Sequence, residues 1–163
     1  ASALLVTHDP HEALAICDRV AVMRKGQIQQ FSTPIEMVSS PSNEFVGQFV
    51  LQKNILPIEL FDNLYSTCIS KLNLSFNSPI SLKSVCMFDK NAITLNPCQD
   101  GLFKVISREY RINQYVYTIN KGGLNLRSEM SLESPLEIGD KCNVETVKGK
   151  NFLVLPEMIK SNF

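Results

Sequence analysis

The chain has 163 residues and a mass of 18.3 kDa, enough for one domain or for one domain with an attached segment. Hydrophobic residues make up 44% and charged residues 20%, which excludes wholesale disorder. Sixteen basic residues balance sixteen acidic ones, and this zero net charge speaks against a dedicated nucleic-acid binder, which needs a basic excess to neutralise phosphates.

Ala3-Leu4-Leu5-Val6 is a short continuous apolar run, the pattern of a strand buried on both faces of a parallel sheet. It leads into Thr7-His8-Asp9-Pro10-His11-Glu12. There Asp9 reads as an N-cap, Pro10 as the first helical position and Glu12 as an acidic first-turn residue. A short helix carrying Ala13, Leu14, Ile16 and Cys17 precedes a strand at 19–23, a Lys25-Gly26 turn and a further strand through Ile28. Parallel strands on either side of a helix make a βαβ-like element too small to stand alone. The chain is therefore expected to be a truncated piece that begins inside a larger α/β unit.

Thr33 as N-cap, Pro34 after it and Glu36 three residues on form a capping box. That helix stops before Pro41, and Ser42 is placed to cap another, with Phe45, Val46, Phe49 and Val50 on one face. Gln52-Lys53-Asn54 is polar and Pro57 breaks helical continuation, so a boundary is expected there, dividing residues 1–51 from 52–163.

Beyond it helical periodicity gives way to short apolar or alternating runs at 58–61, 64–69, 72–76, 84–88, 92–95, 102–110, 114–119, 124–130, 142–148 and 152–155. Turn signals separate them: Asp62-Asn63, Asn77-Ser78-Pro79, Asn96-Pro97, Asp100-Gly101, Asn120-Lys121-Gly122-Gly123, Gly139-Asp140 and Lys148-Gly149-Lys150. Such spacing predicts a β sandwich or small barrel. No apolar run approaches the roughly 20 residues of a membrane-spanning helix, and the opening residues do not read as a signal peptide. The five cysteines, Cys17, Cys68, Cys86, Cys98 and Cys142, are scattered without a C-x-x-C pair. This favours reduced thiols buried as small hydrophobes in a cytosolic protein over a zinc or redox site.

The ordered set Leu4-Leu5-Val6-Thr7-His8-Asp9, Glu12-Ala13-Leu14, Asp18-Arg19-Val20-Ala21-Val22-Met23, Gly26-Gln27-Ile28, Thr33-Pro34 and Phe45-Val46 resembles the end of an ABC-transporter ATPase domain. Within that superfamily the chain resembles importer ATPases that carry a C-terminal regulatory extension. Gly101-Leu102 through Leu126, Ile138-Gly139-Asp140 and residues 153–157 resemble the OB-like (TOBE-type) regulatory domain of such subunits. The strand around Val85-Cys86-Met87-Phe88-Asp89 lacks the Arg-Pro-Glu usual there, so no ligand role is carried onto it. The resemblance implies a mainly β fold, with an OB-like barrel or sandwich preceded by a truncated α/β remnant of an ATPase domain.

The resemblance makes His8 the switch histidine that touches the γ-phosphate and attacking water of ATP in the parent protein, and an imidazole there would act by positioning and electrostatics. It also implies ATP and Mg in the parent, membrane permease subunits and a second ATPase copy as partners, and a peripheral place on the cytoplasmic face of the plasma membrane. The 163 residues hold no Gly-x-x-x-x-Gly-Lys-Ser/Thr loop and no Leu-Ser-Gly-Gly signature, so the fragment itself is expected to bind no nucleotide and to be inactive. The run from Ala13 to Arg19, with Phe49-Val50-Leu51-Gln52 and Asn54, most resembles ferric-iron importer ATPases, with sulfate, molybdate and polyamine importers behind.

Two other readings stay open. Arg108, Tyr110, Arg111, Tyr115 and Tyr117 interleave charge with aromatics and could stack bases on an OB-like face; a half-buried strand pair with a solvated outer face is the simpler account. The β domain could also be a dimerisation scaffold without a ligand, and a homodimer through residues 1–50 is expected. His8 and His11, with Asp9 and Glu12, could be read as a metal cluster, but solvated helix-start residues are the favoured account of His11 and Glu12.

Overall fold

A computed structural model describes residues 2–61, 64–67, 69–71, 84–150 and 152–156. The first third holds α1 (Pro10–Ile16), β1 (Val20–Arg24), β2 (Gln27–Ser32), α2 (Pro34–Ser39) and α3 (Glu44–Phe49). The strands that follow are β3 (Asn54–Pro57), β4 (Glu59–Phe61), β5 (Leu64–Thr67), β6 (Ser70–Lys71) and β7 (Ser84–Phe88). After them come β8 (Ile93–Pro97), β9 (Phe103–Arg111), β10 (Gln114–Lys121), β11 (Leu124–Ser131), β12 (Lys141–Thr146) and β13 (Phe152–Pro156). The chain is mainly β with open sheets, consistent with an OB-like β domain.

Two of the three helix starts match the capping chemistry expected of them. Asp9 caps α1 by accepting from the His11 N–H, and Thr33 and Glu36 satisfy each other's backbone donors at the start of α2. The third differs. Asn43, not Ser42, caps α3 through the Val46 N–H at 3.0 Å, because Ser42 is engaged by β2. Its N–H donates to Gln30 Oε1 and its hydroxyl to the Gln29 carbonyl.

Residues 3–6 do not form the expected strand, and the parallel βαβ-like element is absent. β1 pairs only with β2, as an antiparallel hairpin, and no described strand lies beside residues 3–6. A strand needs a ladder partner for its N–H and C=O groups, and apolar side chains alone do not provide one. Leu4 and Val6 are accordingly 92% and 87% exposed. The inner face of the hairpin packs Val22 onto Met37, Val46 and Val50, a small core joined at its edge by Leu14, Val20, Phe45 and Leu51. Phe49, expected on the buried face of α3, is exposed and stacks on Phe45 with ring centroids 5.4 Å apart.

The larger core lies between a five-stranded antiparallel sheet, order β11-β10-β9-β12-β8, and a three-stranded one, order β13-β7-β3. Inward-facing Val105, Tyr117, Ile119 and Leu126 meet Leu56, Cys86 and Phe88, all nearly free of solvent. The end strands of the larger sheet, β11 and β8, approach each other without a ladder: Ser128 donates its hydroxyl to the Ile93 carbonyl at 2.9 Å, and Thr94 lies 3.6 Å from the Met130 sulfur. This curls the sheet toward a barrel. Gly122 and Gly123, at φ 57° and 87°, turn β10 into β11 as the tight hairpin expected of them, since two successive positive φ values suit glycine. Asn96-Pro97, expected as a turn, instead ends β8, where Pro97 faces Cys142 in the ladder. The expected run 72–76 and the turns at Asp62-Asn63 and Asn77-Ser78-Pro79 lie outside the described residues, as does Cys68.

Candidate functional site

His8 occupies a bend between residues 2–7, which belong to no helix or strand, and α1. Two short-range bonds fix the backbone on either side of it: the Asp9 N–H donates to Thr7 Oγ1 at 3.0 Å, and the His11 N–H donates to Asp9 Oδ1 at 2.8 Å. The Thr-His-Asp-Pro sequence therefore makes a preset corner with the histidine side chain exposed at its tip. The neighbouring carboxylate of Asp9 is occupied by the helix cap. Among the described residues no three His, Cys, Asp or Glu side chains come together as a metal-holding group.

The charged and aromatic residues of β9 and β10 are absorbed by the sheet. Tyr117 is fully buried, and its hydroxyl donates to the Leu136 carbonyl at 3.0 Å. Arg108 lies over the Tyr115 ring at 4.8 Å and donates to Glu137 at 2.8 Å; the Glu137 hydrogen bond raises its pKa further above its ordinary value. Arg111 pairs with Glu109 at 2.8 Å, holding that carboxyl below the usual carboxylate range, with the nearby Arg127 charge adding to the effect. Tyr110 and Tyr115 meet edge to face. Cations committed to carboxylates and rings committed to one another leave little for phosphates or bases, so the solvated-strand account describes this face.

Cys86 and Cys142 are buried in the larger core, while Cys17 and Cys98 are partly exposed; all four are free thiols. Burial pushes Cys86 up to about 12, and burial with the neighbouring Asp140 charge pushes Cys142 up to about 11. Neither is a nucleophile at neutral pH.

Sequence reasoning missed the most elaborate polar arrangement, at Gln52 and Asn54. Asn54 is buried, and its side-chain amide pairs reciprocally with one residue of β11: Nδ2 donates to the Arg127 carbonyl and the Arg127 N–H donates to Oδ1, each at 2.7 Å. The Arg127 guanidinium bridges Gln52 Oε1 and the Glu109 carboxylate, all at 3.2 Å. A buried Asn with both amide ends satisfied is costly to replace. The available signal was a polar residue directly followed by the apolar Ile55 and Leu56, which reads equally well as a linker.

Comparison with known proteins finds similarity to import ATP-binding proteins over most of the chain. The chain is 30% identical over 144 residues, 87% of its length, to an Fe(3+) ions import ATP-binding protein of Streptomyces coelicolor. It is 30% identical over 157 residues, 93% of its length, to a sulfate/thiosulfate import ATP-binding protein of Rhodopseudomonas palustris. A 56-residue stretch reaches 52% identity with the sulfate/thiosulfate import ATP-binding protein of Chromobacterium violaceum, covering 34% of this chain and 15% of that one. The chain is related to the ATP-binding subunits of ABC importers. It spans 41% and 45% of the first two of these relatives. No family model matches it. Among the described residues no helix is long and apolar enough to cross a membrane.

Proposed function

We propose that this chain is the C-terminal part of an ABC importer ATP-binding subunit, residues 1–51 closing its ATPase domain and 52–163 forming a TOBE-type regulatory or dimerisation domain. The similarity to importer ATP-binding proteins across nine-tenths of the chain carries the reading. In the whole protein ATP with Mg would drive uptake of a small solute through membrane permease subunits, with a second ATPase copy, at the cytoplasmic face of the plasma membrane.

His8 is the residue of this chain assigned to that chemistry. Its corner holds an imidazole where it can orient a water and stabilise charge on a transferred phosphoryl group. The phosphates and metal need a cradle of backbone N–H groups and a lysine, which these 163 residues do not include. By itself the fragment would therefore be inactive. Ferric iron is the first assignment for the solute, on the residues 13–19 and 49–54; the sulfate relative matches at equal identity and gives the second.

Disrupting the coding sequence in its host and measuring uptake of ferric iron, sulfate and spermidine tests the reading. Ferric uptake should fall while the other two persist. Loss of sulfate uptake alone reassigns the solute, and unchanged uptake of all three removes the importer function. In the intact subunit His8→Ala should lower ATP turnover by roughly 100-fold with nucleotide binding nearly unchanged; unaltered turnover would take His8 out of the mechanism.

A further inference from the structure

The segment between the two cores has the composition of a linker and the bonding of a joint. α3 does not simply fray into it. Gln52, at φ 49°, turns the chain back sharply, and the Lys53 N–H returns to the Gly47 carbonyl at 3.2 Å. Val50 is buried and Leu51 packs on the smaller core. Lys53 then pairs with Asp89, just past β7, at 3.3 Å, and Asn54 locks onto the backbone of Arg127 in β11. On the other side of the same corner α3 approaches β7 so closely that a Cβ on Gly47 would overlap the Met87 side chain. Met87 is itself almost fully buried. Within eight residues, 47–54, the chain thus belongs to the helical core, to β7 and to β11.

We propose that residues 47–54 form a rigid joint that makes the helical segment and the β domain a single cooperative unit, so that a displacement of α3 is delivered to β7 and β11. Two independent fastenings carry it. The Asn54 amide fixes the joint to β11 through both the N–H and the carbonyl of one residue, Arg127, and the absent side chain of Gly47 lets α3 seat on Met87. A flexible linker would satisfy Asn54 with water and would not need glycine on the helix face. The joint is a property of this chain and does not depend on the importer reading.

Hydrogen exchange of the full chain in a urea series tests the joint. In the unaltered protein the amides of α3 and β1 should open with the same urea dependence as those of β10. Asn54→Ala should speed exchange in α3 and β1 by at least roughly 10-fold while changing β10 by less than about threefold. Independent opening in the unaltered protein, or equal acceleration of both parts in the variant, overturns the joint. If Asn54→Ala fails to fold, Gly47→Ala takes its place: it should uncouple the same amides, and adding Met87→Ala should restore coupling by making room. Failure of that second change to restore coupling also overturns the proposal.

Discussion

Cys86 lies on β7 with its thiol inside the larger core, where a thiolate would lose its hydration without gaining a cation. The folded protein therefore holds the proton up to about 12, whereas an unfolded chain releases it near the ordinary value of 9.0. A folded pKa raised above the unfolded one stabilises fully below the unfolded value and is lost as pH rises toward the folded one. Between pH 9 and 12 unfolding should thus become progressively easier, with Cys142 acting in the same sense up to about 11. Urea midpoints across this range check it: Cys86→Ala should flatten the alkaline decline, and an identical slope would show that the thiol does not contribute. Thiol reagents at neutral pH should label Cys17 and Cys98 well before either buried cysteine.

At the scale of elements, α2 shows how far local chemistry alone determines structure. The Thr33 hydroxyl accepts from the Glu36 N–H at 3.3 Å, and the Glu36 carboxylate accepts from the Thr33 N–H at 3.0 Å. Those bonds hold Glu36 below its ordinary pKa, so its contribution is present above the unfolded value and disappears as pH falls through the lowered one. Thr33→Ala should cost about 1 kcal/mol and be read as a lower urea midpoint; an unchanged midpoint would show that Met37, fully buried in the smaller core, holds α2 without its cap. This helix was legible because every signal for it sits within four residues. β7 was legible over Ser84–Phe88 for a related reason, an apolar run long enough to fill both faces of a central strand. Residues 3–6 carry the same kind of run but have no described neighbour to pair with, and the outcome reverses. Asn54 was illegible because its partner, Arg127, is 73 residues away, and nothing in a polar triplet says whether its amides meet water or a strand edge.

For the whole molecule the balance between the two cores matters most. The β domain closes around its own side chains, whereas the helical segment has a small hydrophobic cluster of Val22, Met37, Val46 and Val50 and leaves Leu4, Val6, Ile16 and Ile35 in solvent. The β domain does not cover these four, so cover within the described residues is excluded. Burying four such side chains is worth about 6 to 10 kcal/mol in total, comparable to the stability of a whole domain. A second copy of the chain presents the same exposed side chains, and an isologous contact between copies is the arrangement expected to cover them. At tens of micromolar, light scattering should therefore give twice the 18.3 kDa of one chain. Leu4→Asp with Val6→Asp should return the mass to that of the monomer without altering the exchange of β10, because neither residue touches the β domain. A monomeric mass for the unaltered chain would mean that these side chains do not join two copies.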